Sequence, residues 1–282
     1  MPTSIANDYV TLADGQQMPR VGFGVYKLTD DRALTDQVAA AYQDGYRLFD
    51  TAQLYGNEAA LGTALKKLNV DRSAYFVTTK IGEANQGYDK TIASAKDSLQ
   101  KLGLDYVNLL LVHWPLQEPF FDTWRAMEAL KKAGLAKSIG VSNYTAAHLA
   151  LLKTAADEMP VVNQIEIHPT LSQLPMVKYD QDNHIVTQAW SPLGRGADLS
   201  NPTIKKLADQ HHKSVAQVIL RWELQHGICV IPKSAHTQRI AENAAIEDFQ
   251  LSSAEMTAID QLNKFMRTGR EPELVYEYGY QY

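Results

Sequence analysis

A single cysteine, Cys229, occurs in 282 residues, so no intrachain disulfide can form. It lies in the apolar run Ile228-Cys229-Val230-Ile231, which marks it as a core residue rather than a nucleophile. No apolar run approaches the ~18 residues needed to cross a bilayer. Residues 1–8 lack the basic and apolar regions of a signal peptide, so the expectation is a soluble, cytoplasmic protein with no membrane partner. Basic charge is also scarce. Lys and Arg number 27 against 32 Asp and Glu, a net charge of -5, which argues against a nucleic-acid binder with its basic stripe. HExxH and paired Cys/His spacings are missing, so no metal is signalled. Gly22-Phe23-Gly24 opens like the dinucleotide fingerprint GxGxxG, but Lys27 stands at its last position, which argues against a Rossmann domain. Without a composition break or a Pro/Ser-rich linker, residues 1–282 read as one domain.

What is present is a regular alternation. With 45% hydrophobic and 21% charged residues, a sizeable core is expected. Residues 9–19 read as a hairpin turning at Ala13-Asp14-Gly15. Strands are then predicted at 21–24, 47–49, 75–79, 109–112, 138–141, 161–167, 185–190 and 228–231. Helices are predicted between and after them at 31–44, 58–68, 88–102, 121–133, 146–155, 176–181, 202–211, 215–225, 239–244 and 253–263. Eight strand-helix units with short connections favour a closed (β/α)8 TIM barrel of the α/β class over an open sheet. The barrel would carry an N-terminal β-hairpin, a C-terminal extra helix and a tail. The tail, residues 271–282, holds Tyr276, Tyr278, Tyr280 and Tyr282 and reads as a strap across the barrel.

Barrel enzymes place chemistry at the C-terminal ends of strands. Those ends carry Asp50, Lys80, His113-Trp114, Ser142-Asn143, Gln164 and Trp190-Ser191, and Tyr55 follows Asp50 on the next turn. A strand-end Asp commonly caps a helix, and a lone His or Lys has bland explanations. Convergence from several strands on one mouth favours a site. A phenol with a pKa near ~10 trades protons poorly at neutral pH. Lys80 beside Tyr55 is expected to lower it, Asp50 to keep Lys80 charged, and His113 to steer a carbonyl oxygen toward Tyr55. Lys80 thus stands between Asp50 and Tyr55, with Asn57 and Glu58 as supporting groups at the helix start. A protonated carbonyl also needs hydride at carbon. Ser142, Asn143 and Gln164 suit a nicotinamide carboxamide, Trp190 suits stacking on its ring, and Lys233, Ser234 and Arg239 suit a ribose phosphate. Val25, Tyr26 and Trp114 are candidate substrate walls beside Tyr55 and His113.

The chain resembles the aldo-keto reductase superfamily along nearly its whole length. The resemblance rests on Gly22-Phe23-Gly24, Asp50-Thr51-Ala52, Tyr55-Gly56-Asn57-Glu58, Lys80 and His113-Trp114-Pro115. It continues through Gly140-Val141-Ser142-Asn143-Tyr144, Asn163-Gln164-Ile165-Glu166, Trp190-Ser191-Pro192-Leu193-Gly194 and Ile231-Pro232-Lys233-Ser234. Short loops make it similar to the bacterial branch that includes 2,5-diketo-D-gluconate reductases. The resemblance implies a (β/α)8 barrel that reduces aldehydes and ketones with NADPH; a monomer is the expected state. It implies Tyr55 as proton donor, tuned by Asp50 and Lys80, and His113 as the group orienting the carbonyl. Cofactor contacts are implied for Gly22, Gly24, Asp50, Thr51, Ser142, Asn143, Gln164, Trp190, Ser191 and Leu193. Lys233, Ser234 and Arg239 are implied at the 2′-phosphate, with Glu242 and Asn243 on the adenine side. Trp190 stands where many relatives carry another aromatic, which keeps the stacking role but leaves its geometry open, and Ala235 stands where many carry a larger residue, which leaves NADH use open. Two other readings stand beside this one. Lys80 could form a Schiff base, as in an aldolase, although Asp50 would keep it charged. A non-enzymatic binding barrel is the other, and the intact Asp50, Tyr55, Lys80 and His113 set counts against it.

Overall fold

A computed structural model describes residues 4–275. The hairpin forms as expected, with β1 (Tyr9–Thr11) antiparallel to β2 (Gln17–Pro19) and Val10 opposite Met18. Eight parallel strands follow among the described residues: β3 (Gly22–Gly24), β4 (Leu48–Asp50), β5 (Phe76–Ile81), β6 (Val107–Val112), β7 (Ala136–Ser142), β8 (Val162–Glu166), β9 (Val186–Trp190) and β10 (Cys229–Val230). They pair in sequence order. The first and last strands meet through a parallel bridge between Val21 and Val230. Val230 N donates to Arg20 O at 2.8 Å and Gly24 N to Pro232 O at 3.1 Å, so the sheet closes into a barrel.

Period-two alternation sorts the side chains into two layers. Phe23, Phe49, Val77, Leu110, Ile139, Val141 and Ile165 belong to the large outer core, together with the apolar faces of the helices. These helices are α1 (Asp31–Gln43), α2 (Glu58–Lys67), α3 (Tyr88–Leu102), α4 (Phe120–Lys132), α5 (Ala146–Leu152), α6 (Leu174–Asp182), α7 (Pro202–His211), α8 (Val215–Gln225), α9 (Thr237–Ala244) and α10 (Ser253–Asp260). The intervening positions Leu48, Phe76, Leu109, Leu111, Val162 and Cys229 form a separate inner cluster. Leu12 and Met18 of the hairpin join it and plug the N-terminal end. At Gly140 the interior is too narrow for a side chain: a Cβ there would lie 2.7 Å from both Leu111 Cδ2 and Val162 O. With one end filled by hydrocarbon, the other is left for polar inward positions. Asp50, Lys80, Ser142 and Gln164 continue the inward rows there.

Helix boundaries follow local chemistry. Asp30 caps α1, and its side chain accepts from Ala33 N. Ser214 and Gln217 form a capping box on α8. Gly103, at φ 65°, ends α3 in a left-handed conformation. Several boundaries differ from expectation. β5 runs through Ile81, so Lys80 is in the strand and pairs with Leu111 instead of following it. β6 starts at Val107 despite polar Asn108, because Asn108 Oδ1 accepts from Val77 N at 2.9 Å and from Arg72 Nη2 at 2.6 Å. α5 stops at Leu152 and α10 at Asp260, both short of the predicted ends. After α10, Lys264 N and Met266 N both donate to Thr170 O, at 3.0 and 3.2 Å, which turns the chain onto the mouth. The crossing segment therefore begins before residue 271; Tyr276, Tyr278, Tyr280 and Tyr282 lie outside the described residues. Among the described residues, no helix is long and apolar enough to cross a membrane, and no cluster of His, Cys, Asp or Glu is arranged to hold a metal.

Candidate active site at the C-terminal mouth

Lys80 is fully buried, and three oxygens surround its ammonium. Lys80 Nζ donates to Asp50 Oδ1 at 2.5 Å, to Thr51 O at 2.9 Å and to Tyr55 Oη at 3.2 Å. The other Asp50 oxygen accepts from Gln164 Nε2 at 2.8 Å, and Gln164 Nε2 also donates to Gln188 Oε1 at 2.7 Å. Both carboxylate oxygens are thus engaged, which makes burial of the ion pair tolerable.

Tyr55 reaches this pair from a 3-10 turn, Gln53–Tyr55, closed by Gly56 at φ 67°. Gln53 Oε1 ties the turn to the segment after β5, accepting from Gly82 N at 2.9 Å and Asn85 Nδ2 at 2.8 Å. Thr51 Oγ1 donates to Asn57 Oδ1 at 2.7 Å, and Asn57 Nδ2 donates to Val25 O and Leu28 O. Glu58 Oε1 accepts from Thr79 Oγ1 at 2.6 Å. Asn57 and Glu58 are therefore anchors of the turn, as expected.

Electrostatics correct one expectation. Lys80 was expected to lower the Tyr55 phenol, but burial, then Asp50 and Tyr26, push it well above its ordinary value. The Asp50 carboxylate 2.5 Å from Lys80 compensates the ammonium before it acts on the phenol. Burial also lowers Lys80, opposed by Asp50. His113 is pushed well below its ordinary value by burial, Lys80 and Arg270, so its imidazole is neutral at pH 7. Its ring stands edge-on to Tyr55 with centroids 5.8 Å apart, and it stacks on Trp114 at 6.4 Å.

β7 to β9 supply a second set. Ser142 Oγ donates to Gln164 O at 2.7 Å. Asn143, at φ 64°, donates through Nδ2 to His113 O at 2.9 Å and accepts through Oδ1 from Trp190 Nε1 at 2.8 Å. This tethers the nitrogen edge of the Trp190 indole. Ser191 follows at φ 50°, and Leu193 packs against the outer core. On the opposite side, a Cβ at Gly24 would lie 3.0 Å from Ile231 O, and one at Gly22 would overlap Leu48 Cδ2 at 2.4 Å. Ile231 leads to Lys233, Ser234 and α9, which bears Arg239, Glu242 and Asn243. Lys233 and Arg239 are exposed, and Asn243 is buried. The Ser234 hydroxyl is engaged in its own turn, accepting from His236 N at 3.0 Å and donating to His236 O at 3.2 Å. Lys233, Ser234 and Arg239, the residues expected at a phosphate, thus gather around the start of α9.

Of the substrate-wall candidates, Tyr26 is exposed with its ring 4.9 Å from that of Tyr55, and Trp114 packs with Leu116, Val275 and Trp190. Val25 is a correction. Gly22 and Gly24 face inward, so Val25 faces outward and is buried in the outer core, and only its backbone borders the site.

Sequence reading missed two features. Gln188 extends the amide chain from Gln164. Glu166, fully buried, also holds the crossing segment: it accepts from Thr268 N at 2.7 Å, from Thr268 Oγ1, and from Gly269 N at 3.2 Å. Arg270 Nη1 then lies 3.6 Å from Glu83 Oε1. A carboxylate in the strand-end run Asn163-Gln164-Ile165-Glu166 needed donors, and two of those it finds are the backbone N–H groups of Thr268 and Gly269, which leave no mark in sequence.

The aldo/keto reductase family model matches residues 20–264. Glyoxal reductase of Bacillus subtilis is 46% identical over 273 residues, covering 97% of this chain and 99% of that protein. The crystal structure of an aldo/keto reductase from Brucella melitensis superposes with a TM-score of 0.88 at 42% identity, covering 93% of this chain and 100% of that one. An aldo-keto reductase of Bombyx mori in complex with NADP superposes with a TM-score of 0.89 at 35% identity, covering 94% and 96% of the two chains. With barrel, mouth and relatives in agreement, this chain belongs to the aldo/keto reductase family.

Proposed function

We propose that the chain reduces aldehydes and ketones to alcohols with NADPH, using Tyr55 as proton donor. The carrying observation is Lys80 Nζ placed between Asp50 Oδ1 at 2.5 Å and Tyr55 Oη at 3.2 Å. A raised phenol keeps its proton at neutral pH, as a donor must. Bound NADPH supplies the hydride to the carbonyl carbon. Tyr55 gives its proton to the oxygen on which negative charge develops. Lys80 stabilises the phenolate left behind, and Asp50 holds Lys80 charged and in place. Neutral His113 donates a hydrogen bond that turns the carbonyl oxygen toward Tyr55.

The mouth fits the cofactor. Gln188 Nε2 and His113 Nδ1 are buried without a hydrogen-bond partner among the described residues. The Trp190 indole, tethered at its nitrogen, offers a face for ring stacking, and Lys233 and Arg239 are exposed cations at one helix start, suited to a phosphate. In this reading Gly22 and Gly24 permit close backbone approach. Thr51, Ser142, Asn143, Gln164, Ser191 and Leu193 line the nicotinamide side, with Glu242 and Asn243 toward adenine. Tyr26 and Trp114 flank the substrate. Residues 1–282 act as one domain, a cytoplasmic monomer. NADPH oxidation by purified protein, followed over aldehydes, keto-sugars and α-dicarbonyls, is the test. Glyoxal belongs in that panel because a relative at 46% identity is named glyoxal reductase. Turnover with simple aldehydes is expected. Its absence across the panel, or borohydride trapping of substrate on Lys80, would overturn the reading.

A further inference from the structure

Trp190 is held at both ends of its indole. Its pyrrole nitrogen donates to Asn143 Oδ1 at 2.8 Å. At the far edge of the ring, the backbone of Gly269 comes so close that a Cβ there would lie 2.3 Å from Cη2 and 3.2 Å from Cζ3. That Cβ would also lie 3.2 Å from Glu166 Oε2. Neither neighbour can give way freely. The ring is rigid and tethered at its nitrogen, so it can yield only by tilting about that bond, and Glu166 is fully buried and bound to the backbone of Thr268 and Gly269. Gly269 has no need of glycine for its dihedral angles, since it is not among the positive-φ glycines. Lack of a side chain at the indole edge is what the position requires.

We propose that Gly269, pinned by Glu166 through the strap at residues 267–270, is a positioning residue that sets the Trp190 ring face on which the nicotinamide packs. This rests on Trp190 being the stacking residue of the proposed reductase. Asn143 alone leaves the indole free to tilt about its nitrogen; contact at the opposite edge removes that freedom. The strap also runs on to Arg270 beside Glu83 and to Val275 beside Trp114. The same segment therefore reaches the substrate wall, so the strap ties cofactor packing to substrate-side order.

A double-mutant cycle on NADPH affinity, read by titration of intrinsic fluorescence, tests this. Gly269→Ala is expected to raise the NADPH dissociation constant roughly tenfold by displacing the indole. In a Trp190→Phe background, whose ring lacks the overlapping edge, the same change is expected to shift it less than about twofold. Thr268→Val, which adds no atom at the indole and removes one donor to Glu166, serves as the second variant should Gly269→Ala fold poorly. It is expected to weaken NADPH in the wild-type background and not in Trp190→Phe. Equal effects in both backgrounds, or no effect in either, would overturn the inference. Trp190→Ala binding NADPH as tightly as wild type would instead remove the stacking reading itself. Urea midpoints measured alongside separate a shift in affinity from a loss of fold.

Discussion

Lys80 Nζ lies 3.2 Å from the Tyr55 hydroxyl and donates to it, while Asp50 holds the same ammonium from behind at 2.5 Å. The distance is short enough for Lys80 to meet a phenolate as it forms. Its charge is nevertheless too well compensated to create one beforehand.

Because the pair is buried, removing one member strands the other. Lys80→Met is expected to cost about 3–5 kcal/mol by leaving the Asp50 carboxylate without its cation. Asp50→Asn with Lys80→Met should recover at least half of that loss. Urea denaturation of both singles and the double measures it; additive losses would contradict the pairing.

Much of this was legible in the sequence because two periodicities carried it. Strand count, order and the polar residues at the mouth follow from alternation that ends in Asp50, Ser142 or Trp190. The same alternation misled at Val25 only because it was read as a loop position rather than as the outward step after Gly24. The direction of the Tyr55 shift was not legible. It depends on burial and on how completely Asp50 offsets Lys80, which are properties of packing. The start of the strap was placed too late in the chain because two of its anchors on Glu166, Thr268 N and Gly269 N, are backbone groups with no residue-type signature.

At the phosphate side, Arg239→Ala is expected to raise the NADPH dissociation constant about tenfold or more and to change that for NADH little, as one charge-assisted contact is worth roughly 1.5–3 kcal/mol. Titration with each cofactor decides it. Equal weakening of both would mean that Arg239 does not meet the 2′-phosphate.

Stability should also depend on pH through Asp180, buried on α6, which accepts from Thr187 Oγ1 at 2.9 Å and from Asn163 Nδ2. Burial pushes its carboxyl from 3.8 up to about 7. Between those values the folded protein binds more protons than the unfolded chain. This contribution to stability is therefore fully present below 3.8 and is lost as pH rises through about 7. Asp180→Asn is expected to reduce the loss between pH 5 and pH 8, and to be more stable at pH 8 by on the order of 1–3 kcal/mol. Denaturant midpoints at the two pH values measure it; an unchanged difference would contradict the assignment.

Tyr55→Phe tests the account most directly, since it removes one oxygen and leaves the cofactor face intact. Steady-state NADPH oxidation with a good aldehyde, paired with NADPH titration of the same sample, is the measurement. A fall in kcat of about 100-fold or more, with NADPH affinity within about twofold of wild type, is the predicted result. Turnover close to wild type in that variant would show that the proton comes from elsewhere.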